Sequence, residues 1–146
     1  MRRRPLILAL AVGLLAAAVL AGSATAGGKR FALALDSANE APAVPAGVTA
    51  SGPGTLTINP GTGEVCFFFS LSGTNIGTIF AAHIHEAAVG QPGPIVVPLA
   101  LNGCLTSTDR AQLIEVFTNP GDYYVNVHST EFPAGALRGQ LAGASN

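Results

Sequence analysis

Along most of the chain, apolar and polar or small residues alternate at every second position, in runs short enough to be β-strands. Residues 31–35 set Phe31, Leu33 and Leu35 against two alanines, and residues 54–58 set Leu56 and Ile58 against two threonines. Asn59-Pro60-Gly61-Thr62-Gly63 is a turn, and residues 64–71 run back from it, which predicts a hairpin. The returning strand carries Val65, Phe67, Phe69 and Leu71 on one side and Cys66 and Phe68 on the other. Apolar residues on both faces predict a central position. Residues 78–85 form the next strand, with Phe80, Ala82 and Ile84 toward the core. A loop over 86–94, punctuated by Gly90, Pro92 and Gly93, leads to a short strand at 95–99, and residues 102–107 turn the chain. Strands at 123–128 and 136–141 complete the set, and residues 36–51 read as a long irregular connection tied by Pro42 and Pro45. The one predicted helix spans 108–117, capped by Thr108, with Leu113, Ile114 and Phe117 as its apolar stripe. Asn119-Pro120-Gly121 stops it. The sum is an all-β fold, an antiparallel two-sheet sandwich or open barrel of about seven strands with one short helix.

The N-terminus departs from this pattern. Arg2, Arg3 and Arg4 precede an almost unbroken apolar run from Leu6 to Leu20, and Ser23-Ala24-Thr25-Ala26 supplies small residues for cleavage. Residues 1–26 are therefore expected to be a secretory signal peptide, cut after Ala26. The run is shorter than the roughly 20 residues of a spanning helix, so the membrane matters only during export. Residues 27–146 make a single β domain, secreted or held in the periplasm or cell envelope. Three of the seven basic residues leave with the signal, and four bases against eight acids give the remainder a formal charge of −4. That balance excludes the basic footprint of a nucleic-acid binder. Two cysteines, Cys66 and Cys104, predict one disulfide in an oxidising compartment.

The chain has three histidines. His83 and His85 alternate within Ala82-His83-Ile84-His85, and His128 ends Tyr123-Tyr124-Val125-Asn126-Val127-His128. Spacing by two puts His83 and His85 on one strand face. On both strands the histidines fall opposite the aliphatic residues, where a core-packing imidazole would not sit. If the strands are neighbours, three imidazoles converge and suit one copper or zinc ion, with a fourth position open. Tyr124, Asn126 and Arg138 share the predicted site face. Glu86 and Glu131 lie close enough in sequence to complete a shell or orient a ring. A two-histidine set with Glu86 would favour iron. In the bland alternative these groups are polar scaffold, with His83 and His85 bonded to the 86–94 loop, His128 paired with Glu131 or capping a turn, and Arg138 paired with Glu131 or Glu86. The glycine-rich loops lack a phosphate-binding signature, and Ser129 beside His128 is no nucleophile–base geometry, so no catalytic residue is assigned.

Three segments together carry a resemblance. They are Ala82-His83-Ile84-His85 with Gly90-Gln91-Pro92-Gly93-Pro94-Ile95-Val96-Val97-Pro98-Leu99, then residues 119–129, then Phe132-Pro133-Ala134-Gly135-Ala136-Leu137-Arg138-Gly139-Gln140-Leu141. Over residues 29–141 the chain resembles the CHRD domain, the module repeated in chordin and found singly in exported bacterial proteins. The resemblance implies a shared role for His83, His85, His128 and Arg138, while the expected partner, an extracellular or cell-envelope protein or glycan, follows from export. It names no ligand. The sequence departs from the family pattern at Glu86, where a glycine commonly follows the histidine pair, and at Ser129, where threonine is usual. Ala82–Glu86 is also similar to the His-x-His of copper–zinc superoxide dismutases. Three histidines cannot fill their two metal sites, so a mononuclear copper oxidoreductase is the enzymatic alternative. A structural or adhesive module without metal is the other.

Overall fold

The computed structural model describes residues 28–141. The predicted leader and its cleavage point lie outside the described residues. Nine strands alternate with little else: β1 (Lys29–Asp36), β2 (Thr49–Asn59), β3 (Glu64–Phe69), β4 (Ser72–Thr74), β5 (Ile79–Glu86), β6 (Ile95–Leu99), β7 (Gly103–Thr106), β8 (Tyr123–Ser129) and β9 (Leu137–Gln140). One α-helix, α1 (Arg110–Thr118), precedes β8. All pairings are antiparallel, in the order β6-β5-β8-β9-β1-β2-β3-β7, with β4 added to the start of β2. The sheet curls until it is nearly a closed barrel, its two edge strands β6 and β7 being joined by the short link 100–102. The all-β architecture with one helix is as expected, with nine strands in place of about seven.

The interior is filled from alternate positions of every long strand. Phe31, Leu33 and Leu35 of β1 meet Leu56 and Ile58 of β2, Val65 and Phe67 of β3, Ile84 of β5, Val97 of β6, Val125 and Val127 of β8 and Leu137 of β9. α1 adds Leu113 and Val116. Its N-cap is Asp109, whose carboxylate accepts from the Gln112 N–H at 2.9 Å, rather than Thr108. Of the expected stripe Ile114 is exposed, and Val116, three residues after Leu113, is buried with it.

The predicted hairpin is present, with Gly54 opposite Phe69 and Asn59 opposite Glu64. Its turn needs Gly63, at φ 76°, because a Cβ there would strike the Arg110 guanidinium and the Ser107 carbonyl. Two strands went unread because their residues are polar or small. Ser-Gly-Thr makes β4, and Gly-Cys-Leu-Thr makes β7, read above as a turn. β7 is held to β3 by backbone pairing and by the disulfide: Cys66 faces Cys104 in register, with Cα atoms 4.0 Å apart and an S–S bond of 1.98 Å. β3 is therefore last but one rather than central, and Phe68 on its outer face is 49% exposed. Among the described residues no helix is long and apolar enough to cross a membrane.

Candidate metal centre

β5 and β8 lie side by side, with Ala81 opposite His128, His83 opposite Asn126 and His85 opposite Tyr124. Paired residues share a face, so alternation within each strand sends all three histidines to the side away from Ile84, Val125 and Val127. The ring centroids are 4.8 Å apart for His83 and His128, 5.9 Å for His85 and His128, and 6.0 Å for His83 and His85. One ring nitrogen from each lies within 4.8 Å of the others. This outer face is not open to solvent as a plain sheet face would be. Every residue of β8 is buried, because the 87–94 loop, Glu40 and the turn at 132–135 cover it.

Hydrogen bonds fix where the ring protons sit. His85 Nδ1 contacts the Gly93 carbonyl at 2.9 Å and His128 Nδ1 the Pro133 carbonyl at 3.1 Å. A carbonyl only accepts, so each Nδ1 carries the proton and each Nε2 presents a lone pair. This is the outer support that metal-binding imidazoles use. His83 Nδ1 lies 2.9 Å from His128 Nε2 and donates to it. His85 Nε2 is buried and has no hydrogen-bond partner. Burial makes all three rings harder to protonate. His128 and His85 add to this at His83, Arg138 at His85, and His85 at His128. The bonds to the Gly93 and Pro133 carbonyls oppose it without reversing it. Neutral imidazole is the form that binds metal. A tetrahedral ion with bonds of about 2.0–2.1 Å holds its nitrogens about 3.3 Å apart. One nitrogen from each ring lies within 4.8 Å of the others, and side-chain rotation with release of the His83–His128 hydrogen bond brings them toward that geometry.

The next layer locks the loop that bears Gly93. Tyr124 stacks on His85, with centroids 4.9 Å apart and planes 20° from parallel, and the Arg138 guanidinium lies 3.5 Å over the other side of its ring. Arg138 donates to the carbonyls of Gln91 (2.7 Å) and Ala88 (2.8 Å) and to Gln140 Oε1 (3.0 Å). Gln140 donates to the Ala87 carbonyl at 3.0 Å, and the Gly93 N–H to the Tyr124 hydroxyl at 3.2 Å. The loop fits this closely only because residue 93 is glycine: a Cβ there would run into the Glu86 carbonyl.

Beside His83, the side chain of Asn126 donates to Glu40 Oε2 at 3.1 Å. The remaining oxygens of that pair, Glu40 Oε1 and Asn126 Oδ1, are both buried without a partner. Burial raises the Glu40 carboxyl to about 7, against the pull of Asn126 and Arg138. A proton on Glu40 Oε1 turned toward Asn126 Oδ1 would satisfy both orphan atoms.

The family model for the CHRD domain matches residues 31–141. The chain belongs to the CHRD-domain family. No curated protein and no solved structure matches it.

In this CHRD domain the four residues singled out by the resemblance lie on one layer. His83, His85 and His128 form the cluster, and Arg138 braces it through Tyr124 and the loop. Among the described residues no carboxylate joins the cluster. Glu86 follows His85 directly, so alternation turns it away; it is exposed and lies opposite Tyr123 in register. Glu131 is exposed beyond the end of β8, near Gly77, and of the two scaffold roles His128 takes the turn, bonding to the Pro133 carbonyl. Arg138 bonds to loop carbonyls rather than to either acid. Asn126 bonds to Glu40, an acid of the 36–51 connection that sequence reasoning passed over. Phe80 was assigned to the core, yet it is 53% exposed and its ring lies 6.5 Å from that of His128. The pairing of β5 with β8 is irregular between Ile79 and Ala81, and that break carries Phe80 to the histidine side.

Proposed function

We propose that this CHRD domain is an exported binding module that holds one zinc or copper ion through His83, His85 and His128. The observation that carries the proposal is His85 Nε2, a buried acceptor with no donor, on a ring whose tautomer is set by the Gly93 carbonyl. With three protein donors the ion keeps a fourth position for an outside ligand. Arg138, Tyr124 and Asn126 act by holding the rings and loops. Export rests on the leader pattern of residues 1–26 and on the Cys66–Cys104 disulfide. The test is equilibrium dialysis of tag-free protein against Zn²⁺ and Cu²⁺. One equivalent should bind to the wild type, and the double variant His83→Ala with His128→Ala should lose it. Equal stoichiometry in both proteins would refute the assignment.

A second function is favoured by the hydrogen bonds that all three rings already make inside the protein. In it the polar layer is scaffold, and the module binds an extracellular or cell-envelope protein or glycan elsewhere on its surface. The same dialysis separates the two, since a scaffold binds no stoichiometric ion.

A further inference from the structure

Resting on the three-histidine metal site, we infer that its open position takes a molecule that couples a metal-ligating nitrogen or oxygen to an aromatic body, with Phe80 as the residue that recognises the ring. Three observations converge on this. First, among the described residues the cluster holds three histidines and no fourth histidine, cysteine or carboxylate, which leaves a coordination position for an outside ligand. Second, the rim of the cluster is apolar. Phe80 is 53% exposed with its ring tilted 41° to that of His128. On the edge strand β6, Ile95 (53% exposed) is the register partner of His85, and the exposed Pro98 is that of His83. A polar or ionic small ligand would gain nothing from such a border. Third, Phe80 is there because of a specific irregularity. Regular pairing through Ile79 and Ala81 would have kept Phe80 on the core side with Ala82 and Ile84. Breaks of this kind sit beside binding sites and re-aim one side chain. His83, the least buried of the three histidines, marks the side from which such a ligand enters.

The test uses cobalt(II), whose visible absorption reports directly on a new ligand. The exported protein, purified without a histidine tag, is loaded with one equivalent of Co²⁺ and titrated with imidazole or with 4-phenylimidazole. The two probes share a donor and differ by a phenyl ring. We expect 4-phenylimidazole to bind at least tenfold tighter. Phe80→Ala should bring the ratio to within threefold with cobalt stoichiometry and imidazole affinity unchanged, and Phe80→Tyr should retain the preference. Cobalt that binds but does not distinguish the probes overturns this proposal alone, as does a preference that survives in Phe80→Ala. Failure to bind cobalt at all overturns the underlying metal assignment and this proposal with it.

Discussion

Glu40→Gln exchanges an ionisable partner of Asn126 for a neutral one of the same shape. In the wild type the Glu40 carboxyl is raised to about 7 from an ordinary 4.5, mainly by burial, with Arg138 the charged group that faces it. The native state therefore holds this proton at pH values where the unfolded chain has released it. Stability from this group is greatest below pH 4.5 and is lost as pH rises toward and through 7. At about 1.4 kcal/mol per unit the full swing is about 3 kcal/mol, and screening at the open side of the 38–41 segment reduces it to about 2 kcal/mol. A glutamine still offers an acceptor to Asn126 Nδ2 and carries no titrating proton, so its contribution does not change with pH. The assay is urea unfolding of both proteins at pH 5, 6, 7 and 8, at constant ionic strength with the disulfide intact. The histidines titrate alike in both, so their contribution cancels in the difference. Relative to Glu40→Gln, the wild type should lose about 2 kcal/mol between pH 5 and pH 8. Parallel pH profiles would refute a buried, proton-holding Glu40.

Adding Zn²⁺ at a hundred times its dissociation constant should raise unfolding stability by about 2.7 kcal/mol, reversibly with chelator, and calorimetry showing no shift would contradict native-state binding. Arg138→Met strips donors from the Ala88 and Gln91 carbonyls and should cost about 3 kcal/mol. Its specific signature is faster amide exchange across 87–94, and an unaltered exchange pattern would show that Arg138 does not hold the loop. Replacing Cys66 and Cys104 together by alanine opens a crosslink spanning 38 residues and should destabilise the fold by about 4 kcal/mol in urea unfolding; a loss below about 1 kcal/mol would show that chain entropy is not the operative term.

What was legible beforehand was whatever depends on local alternation. The faces of Ala82, His83, Ile84 and His85 follow from a period of two, as does the convergence of the histidines once β5 and β8 pair. The same rule, applied one residue further, already turned Glu86 away. What escaped was set by contacts between distant segments. Glu40 reaches Asn126 across 86 residues, and no local pattern marks that encounter. Gly103–Thr106 has little strand propensity of its own and is a strand because β3 and Cys66 hold it. Phe80 obeyed the alternation in sequence and broke it in space, since one irregular pairing step inverts every side chain before it.

The strand order gives the crosslink and the imidazoles different addresses. Cys66 and Cys104 belong to the run β1-β2-β3-β7, and His83, His85 and His128 to the run β6-β5-β8-β9. The two runs share one core, yet their only register pair at the seam is Asp36 with Arg138. Reduction therefore removes a tether from the run that carries no imidazole, while Arg138 and the 87–94 loop still brace the cluster. Thiol chemistry and ion occupancy become separable readouts of two strand runs in one small barrel.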